Sequence, residues 1–305
     1  MTFLYKKLIS LFLLINLLLG AINLHASDLK NPKFGTKRMP IKLAFVPGLD
    51  NVVLKEQGEI IQKFLEKETG YYFDMVIPAS FIAVSEAMGT KRVHIALMNS
   101  FGYALAHEKF KAKARLIGTF KGKDQYYSQI ITHQDGPSKV EDLSNKTFAY
   151  VDPASTSGHI LPADYFKKNN INLKQTVFAG KHDSVVSMVY QKRVEAGATY
   201  HTKQFEGVPQ DARTLVKTQY PDVFEKVKIL HVLGPIPSDP IVFVGGFPQK
   251  MEDKIVEALK KCIQTPEGKN AFIKTYHLDG LKDANDEHWN DFRSMMKNIL
   301  PESFK

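Results

Sequence analysis

The sequence predicts an α/β protein of two lobes with a cleft between them. Three features predict it: strands and helices alternate along the chain, an extended run interrupts this rhythm midway, and a second, proline-rich run leads back. Alternating strands and helices favour mainly parallel sheets with helices on both faces. Two lobes joined by two extended crossings place a cleft at the carboxyl ends of the strands, where ligands of such folds bind.

The first lobe is predicted to begin with four strands and three helices between residues 41 and 120. Apolar residues recur at helical spacing over 60–65, and Gly70 follows them as a typical helix terminator. Asn99 and Ser100 follow an apolar strand and have the side chains of helix N-caps. The predicted strands are 41–46, 72–77, 93–98 and 114–120, and the predicted helices are 54–69, 80–91 and about 99–109.

The second lobe begins at the extended run over 125–132. Pro235, Pro237 and Pro240 exclude a helix in the return segment, which is therefore predicted to be extended. From Lys250 onward the chain is predicted to be helical and to pack on the first lobe. The predicted strands are 147–151, 175–178, 195–199, 229–233 and 241–244, and the predicted helices are 157–168 and 184–192, with a helix or turn near 202.

The two crossings give a domain organisation that is discontinuous in sequence. The predicted divisions are a signal peptide at 1–26, an N-terminal arm at 27–40, a first lobe of 41–125 plus 235–305, and a second lobe of 126–234. Closure is expected to be a hinge motion about the two crossings.

The first 26 residues have the layout of a secretory signal peptide. Lys6 and Lys7 precede an apolar run from Leu8 to Ile22, and the small residue Ala26 stands where cleavage would occur. A transmembrane anchor is the alternative, but the run is shorter than the roughly 20 residues that span a bilayer. The sequence therefore predicts export to the periplasm, with cleavage near Ala26.

Composition argues against nucleic acid, metal and disulfide chemistry. The 305 residues include 41 Lys and Arg against 32 Asp and Glu, a formal net charge of +9, without a tract of five basic residues. The single cysteine, Cys262, lies in a helical pattern typical of a buried thiol. The ten histidines show no metal-ligand spacing, so no metal or cofactor is expected. A positive surplus favours an anionic ligand.

Hydroxyl residues follow the predicted strand 147–151. Ser155, Thr156 and Ser157 come after it, Gly158 lets the backbone approach its surroundings closely, and a helix then begins. The first turn of a helix has free N–H groups and the positive end of the helix dipole. Together with three hydroxyls, these groups suit a tetrahedral oxyanion. Plain N-capping by one serine is the alternative that the residues leave open.

Weaker candidates stand at two other strand ends. His182 follows the strand 175–178 and is placed to donate a charge-assisted hydrogen bond to an anion. Asn99 and Ser100 offer donors at a helix start in the first lobe. Each of these residues is equally explained by an ordinary turn or cap.

In several segments the chain resembles the phosphate/phosphite/phosphonate-binding proteins of ABC transporters. The most specific are Asp152-Pro-Ala-Ser-Thr-Ser-Gly-His159 and the Ala179-Gly-Lys-His182 that follows it. The resemblance covers roughly residues 40–260. The other segments that carry it are Phe45–Leu49, Lys67–Gly70, Tyr126–Ile131, Val194–Thr199 and Ile236–Val242.

The resemblance implies a type II periplasmic-binding fold that closes on a small anionic ligand such as a phosphonate or phosphite. It implies delivery of that ligand to the membrane permease of an ABC transporter, by a protein that is not an enzyme and is expected to be a monomer. The ligand contacts expected from the resemblance and from the strand ends are Ser155, Thr156, Ser157, His182, Asn99, Ser100 and one of the adjacent Tyr126 and Tyr127.

The sequence departs from the family at two positions that bear on the ligand. The first-lobe turn Leu97-Met-Asn-Ser100 lacks an aromatic residue that some relatives have there, which bears on the organic part of the ligand. Members that bind aminophosphonates offer a carboxylate after the strand that corresponds to 195–199, where this chain has Tyr200-His-Thr-Lys203. A ligand without an amine is therefore expected.

Two other functions remain open from the sequence. The first is a periplasmic sensor of oxyanions that signals to a membrane histidine kinase. The second is an exported hydrolase built on Ser157 with His159 or His182 and Asp183, although the adjacent His182 and Asp183 cannot easily orient as a relay.

Overall fold

The computed structural model describes residues 29–46 and 51–304. The predicted signal peptide and its cleavage site lie outside the described residues. The strands, β1 to β11, are Ile41–Phe45, Phe73–Val76, Ile95–Leu97, Lys113–Thr119, Gln125–His133, Thr147–Tyr150, Gln175–Phe178, Ala196–His201, Val227–Pro237, Pro240–Phe243 and Gly280–Asp283. The α-helices, α1 to α9, are Asn51–Thr69, Phe81–Gly89, Ser100–Phe110, Leu161–Lys168, His182–Tyr190, Val223–Lys226, Gln249–Cys262, Pro266–Tyr276 and Asn290–Ile299.

The described strands form two sheets, so the predicted fold of two α/β lobes is confirmed. The first sheet has the order β11-β4-β10-β3-β1-β2, and the second has the order β7-β6-β8-β5-β9. β1 pairs in parallel with β2 and β3, and β6 pairs in parallel with β7 and β8. The other pairings are antiparallel, so the prediction of mainly parallel sheets is wrong. β5 of the outward crossing runs antiparallel to β8, and β10, which follows the return crossing, runs antiparallel to β3 and β4.

The two crossings run side by side. β5 and β9 pair antiparallel from Gln125 opposite Pro237 to His133 opposite Val227. The predicted extended return is thereby confirmed. Pro235 and Pro237 are tolerated because β9 is an edge strand, where a missing N–H need not break a ladder, and Pro240 is tolerated as the first residue of β10.

The C-terminal helices complete the core of the first lobe, as predicted. Ile255 and Leu259 of α7, Phe272 of α8 and Trp289 are fully buried in the same apolar cluster as β1, β3 and β10. The prediction of an all-helical tail is wrong at β11, which pairs with β4 at the edge of the first sheet. Its sequence, Gly-Leu-Lys-Asp, has little of the apolar alternation that marks a strand.

Cys262 is fully buried, and burial raises the pKa of its thiol to about 12, as expected of a structural cysteine. Within residues 29–46 and 51–304, no group of three or more His, Cys, Asp or Glu side chains is placed to hold a metal ion. In the same ranges, no helix combines the length and the apolar character that a membrane crossing needs.

Candidate functional site

A cavity of about 160 Å³ lies where strand ends of the two sheets meet. It is formed by residues that follow β3, β4 and β9 on one side and β6, β7 and β8 on the other. The predicted site residues that line it are Asn99, Tyr126, Ser155, Thr156, Ser157 and His182. Tyr127 and Ser100 do not line it.

The loop after β6 presents its polar groups to this cavity. Ser155, Thr156 and Ser157 are 2%, 1% and 3% exposed. Ser155 caps the following turn, because its Oγ accepts a hydrogen bond from Gly158 N at 3.1 Å. Ser128 Oγ donates to Ser157 O at 2.6 Å and fixes the loop to the second sheet. The turn over Thr156–Ile160 is a π-helical one that continues into α4, so a helix start lies here as predicted.

Several donors of this loop have no acceptor among the described residues. The amides of Thr156 and Ser157 make no hydrogen bond there, as expected for the first turn of a helix. Thr156 Oγ1 is buried without a hydrogen-bond partner. A buried polar group in this condition costs about 1–3 kcal/mol, which an added acceptor would relieve.

His182 begins α5 and lines the cavity as a neutral imidazole. The amide of Tyr200 donates to His182 Nδ1 at 3.3 Å, so Nε2 is the nitrogen that carries the proton. Burial lowers the pKa of His182 to about 4. In the ligand-free cavity the residue is therefore a neutral donor, not the charged one expected. Its Nδ1 faces Tyr200 and not Asp183, so the two adjacent residues do not form a relay.

Of the two adjacent tyrosines, Tyr126 is the one at the cavity. Burial raises the pKa of its hydroxyl well above the usual range, and the neighbouring Asp239 carboxylate raises it further, so the hydroxyl stays a neutral donor. Tyr127 turns away, and its ring lies 5.6 Å from Lys203 Nζ. An irregularity in the β5–β9 register between Tyr126 and Ser128 sets which residue faces inward.

Asn99 links the two lobes next to the cavity. Its Oδ1 accepts from Gly102 N at 3.0 Å as the N-cap of α3, and its Nδ2 donates to Ala154 O at 2.9 Å. Ser100 serves the core instead, because its Oγ donates to Pro237 O at 2.7 Å and lies 3.2 Å from Trp289 Nε1. Ser100 therefore supports the crossing from behind the cavity wall.

Asp239, between β9 and β10, is a cavity residue that sequence reasoning missed. No side chain within the described residues makes an ion pair or hydrogen bond with its carboxylate. Burial raises the pKa of Asp239 to about 7, so the group is close to half protonated at neutral pH. The cavity thus contains a carboxylate, though not at the position after β8 where the family's amine-binding members have one.

A row of rings along the cavity was also missed. His182 and Tyr200 have ring centroids 5.0 Å apart, Tyr200 and His277 are 6.2 Å apart, and His277 and Phe120 are 3.9 Å apart. His277 ends α8 in a left-handed conformation with φ of 54°. His182 and Tyr200 each follow a predicted strand and Phe120 ends the predicted strand 114–120, whereas His277 comes from the segment predicted to be helical.

Sequence comparison identifies relatives of this chain. The family model described as "ABC transporter, phosphonate, periplasmic substrate-binding protein" matches residues 43–289. The phosphonates-binding periplasmic protein of Escherichia coli is 29% identical over 227 residues, which cover 71% of this chain. The match spans 64% of that relative's own length.

Solved structures share the fold at lower sequence identity. A binding-protein component of an ABC phosphonate transporter from Pseudomonas aeruginosa superimposes with a TM-score of 0.72 at 19% identity, covering 87% of this chain and 89% of that one. PhnD1 from Prochlorococcus marinus, in complex with methylphosphonate, gives 0.70 at 14% identity, covering 85% and 97%. The predicted type II periplasmic-binding fold is thus confirmed. Because the family model matches most of this chain, from residue 43 to residue 289, the chain belongs to the periplasmic substrate-binding proteins of phosphonate ABC transporters.

Proposed function

We propose that this protein is the periplasmic solute-binding component of an ABC importer, and that it captures a phosphonate or related small phosphorus oxyanion. The observation that carries this proposal is the loop Ser155–Ser157, which brings the unpaired amides of Thr156 and Ser157 and the unpaired hydroxyl of Thr156 to a cavity between the lobes. Family membership and the E. coli relative's name support the same ligand class.

The cavity supplies neutral donors for the oxyanion. The hydroxyls and amides of Ser155–Ser157, the Tyr126 hydroxyl and His182 Nε2–H all belong to its lining. Hydrogen bonds to a charged acceptor contribute about 1.5–3 kcal/mol each, so a few of them suffice for a micromolar complex after ordering costs. Because no donor is a fixed cation, release requires no ion pair to be broken.

Asp239 supports a phosphorus oxyanion over sulfate. A carboxyl group with a pKa near 7 and a phosphonate with a second acidic group titrating in the same range can share one proton in a hydrogen bond. Sulfate has no proton to share at neutral pH and meets a partly ionised carboxylate. We therefore expect sulfate to bind more weakly than a phosphonate of similar size.

Delivery to a membrane permease, in the periplasm, follows from the proposal. The family is described as the periplasmic substrate-binding proteins of phosphonate ABC transporters, which supports this role. An alternative role as a sensor for a histidine kinase draws no support from the relatives or from the cavity. We keep export through the predicted signal peptide, and action as a monomer, as parts of this proposal.

Asn99 is expected to stabilise the closed arrangement of the lobes. In Asn99→Ser, the shorter side chain keeps the cap on Gly102 N but no longer reaches Ala154 O. Loss of this hydrogen bond between the lobes, about 1 kcal/mol, should weaken methylphosphonate binding about fivefold. Asn99→Ala removes the cap as well and should also lower the unfolding temperature. Equal ligand affinity in Asn99→Ser and the unchanged protein would contradict this role.

Calorimetric titration of the purified protein tests the proposal. The panel is methylphosphonate, phosphite, phosphate, 2-aminoethylphosphonate, arsenite and sulfate. We expect micromolar or tighter binding of at least one phosphorus oxyanion. The double variant Ser155→Ala/Thr156→Val, which removes two hydroxyls with little change in volume, should weaken it at least about a hundredfold.

The matched control removes one serine and one threonine hydroxyl from the exposed surface. Thr218→Val/Ser294→Ala makes that change at two exposed residues that do not line the cavity and should bind as the unchanged protein does. If no phosphorus oxyanion binds, or if the Ser155/Thr156 variant binds as tightly as this control, the proposed ligand class is wrong. Tightest binding of 2-aminoethylphosphonate would overturn the expectation of a ligand without an amine.

A further inference from the structure

Beyond the oxyanion-binding loop, the cavity wall is largely aromatic. The row of rings that starts at His182 continues through Tyr200 to His277 and Phe120. Burial lowers the pKa of His277 to about 4, so this imidazole adds no positive charge to the wall. Leu278 and Phe81, both buried, also line the cavity. The oxyanion donors therefore occupy one part of the cavity and apolar surface follows them.

The aromatic wall leads to an apolar opening. Leu215 and Ile273 line the cavity and are at the same time 39% and 36% exposed, so the cavity reaches the surface between them. Leu215 belongs to the turn Ala212–Val216 after β8, and Ile273 belongs to α8. One side chain from each lobe thus borders the opening.

The size of the cavity exceeds what a phosphonyl group alone requires. The cavity has a volume of about 160 Å³, whereas a single water needs about 10–15 Å³ on the same scale. The charged residues in its lining are Asp239, which adjoins Tyr126 in the oxyanion-binding part, and the exposed Lys274. Between these two, ring faces and aliphatic groups predominate in the lining, with the neutral side chains of Gln125, Thr202 and Thr275 and the unpaired Nε2 of His277 as its polar groups.

We infer that the ligand is a phosphonate whose carbon substituent is uncharged, apolar and larger than a methyl group, and that this substituent lies along Tyr200, His277 and Phe120 towards Leu215 and Ile273. This inference rests on the proposed function, because the phosphonyl group must occupy the Ser155–Ser157 loop for its substituent to lie there. In this inference the rings, together with Leu215 and Ile273, determine the specificity for one phosphonate over another.

Four phosphonates of graded structure test the substituent. Propyl-, 2-hydroxyethyl- and 2-aminoethylphosphonate have the same number of heavy atoms in the chain and end in a methyl, a hydroxyl and an ammonium group, and methylphosphonate is the short reference. We expect propylphosphonate to bind about fifteenfold more tightly than methylphosphonate, since it has two more methylenes and each buried methylene adds about fourfold. It should also bind more tightly than the hydroxyl and ammonium analogues.

Variants at the opening test where the substituent lies. Leu215→Ser/Ile273→Ser should reduce the ratio of propylphosphonate to methylphosphonate affinity at least threefold. Val232→Ser/Ile82→Ser changes two equally exposed apolar side chains outside the cavity and should leave this ratio unchanged.

The outcomes separate this inference from the proposed function. If methylphosphonate binds with dependence on Ser155 and Thr156 but propylphosphonate gains nothing, or if the hydroxyl or ammonium analogue binds most tightly, the function stands and the apolar substituent is wrong. If propylphosphonate gains affinity and the opening variant keeps the full ratio, the assigned location is wrong. Failure of every phosphonate to bind removes the proposed function itself.

Discussion

Replacing Asp239 by asparagine should stabilise the ligand-free protein at pH 8 and leave its stability at pH 4 nearly unchanged. Folding raises the pKa of this carboxyl group from 3.8 to about 7, so the folded protein holds a proton that the unfolded chain has lost. The stabilisation that this bound proton gives is fully present below the pKa of the unfolded chain, 3.8, and declines as the pH rises from about 4 to about 7. The shift corresponds to about 4 kcal/mol at pH 8. This is an upper limit, because Asp239 is partly exposed and water in the cavity lowers the cost of its charge.

Urea unfolding of both proteins at pH 4, 6 and 8 measures the effect. Asp291→Asn removes an exposed carboxylate as the matched control and should show the pH dependence of the unchanged protein. If Asp239→Asn also follows that dependence, the carboxyl group titrates normally and the burial argument fails.

The same substitution should change the pH dependence of phosphonate binding. Above pH 7 the unchanged protein and its ligand both lose the proton that they share, so affinity should fall by up to about tenfold for each further pH unit. In Asp239→Asn the amide donates to the dianion without a proton, so affinity should rise as the ligand loses its second proton and stay level above that range. Calorimetry with methylphosphonate across this range measures both, and parallel profiles would contradict the shared proton.

Replacing Arg213 by methionine should destabilise the second lobe by about 3–5 kcal/mol, because it leaves a buried carboxylate without its cation. Arg213 and Asp211 are 7% and 2% exposed. The guanidinium donates from Nε and Nη2 to the two carboxylate oxygens, both at 2.9 Å, and from Nη1 to Val227 O at 2.8 Å. Gln129 Nε2 also donates to Asp211 Oδ1, at 3.2 Å. Denaturant unfolding monitored by circular dichroism measures the loss.

A second substitution distinguishes the unpaired charge from lost packing. Asp211→Asn/Arg213→Met removes the carboxylate charge together with its cation. The side-chain oxygen at position 211 still accepts a hydrogen bond from the backbone N–H at position 213, so the cap is kept. This double variant should recover at least about 1 kcal/mol relative to Arg213→Met alone. A double variant that is less stable than the single one would show that the charge is not the cause.

The alternation of strands and helices was sufficient to predict most of the fold. Strong apolar runs such as β1, β3 and β10 and the periodic helix α1 were found because burial on both faces, or on one stripe, leaves a clear pattern. β11 left no such pattern, because an edge strand that buries little surface needs few apolar residues. The direction of the crossing strands depends on tertiary pairing and has no signal in local sequence.

The candidate site was predicted where one segment carries the chemistry. Ser155–Ser157 combine a strand end, a helix start and hydroxyl side chains in adjacent positions. Asp239 was missed because a carboxylate in an anion site is unexpected until its burial and raised pKa are known. His277 and Phe120 come together only through the packing of α8 beside the β4 end. Tyr126 and not Tyr127 faces the cavity because the β5–β9 register shifts between Tyr126 and Ser128. Two adjacent tyrosines carry no sequence signal for such a shift.

The place of β10 in the first sheet has a consequence for biogenesis. This strand lies between β3 and β4, yet the chain reaches it only after all five strands of the second sheet. A chain that emerges from its N-terminus can therefore complete the second sheet before the first, whose β3 and β4 edges stay open until residue 240 has appeared. Folding of the first lobe must thus wait for the C-terminal segment. A chain cut short before β10 also lacks β11, so it would expose one edge of β3 and both edges of β4 to aggregation and to proteolysis.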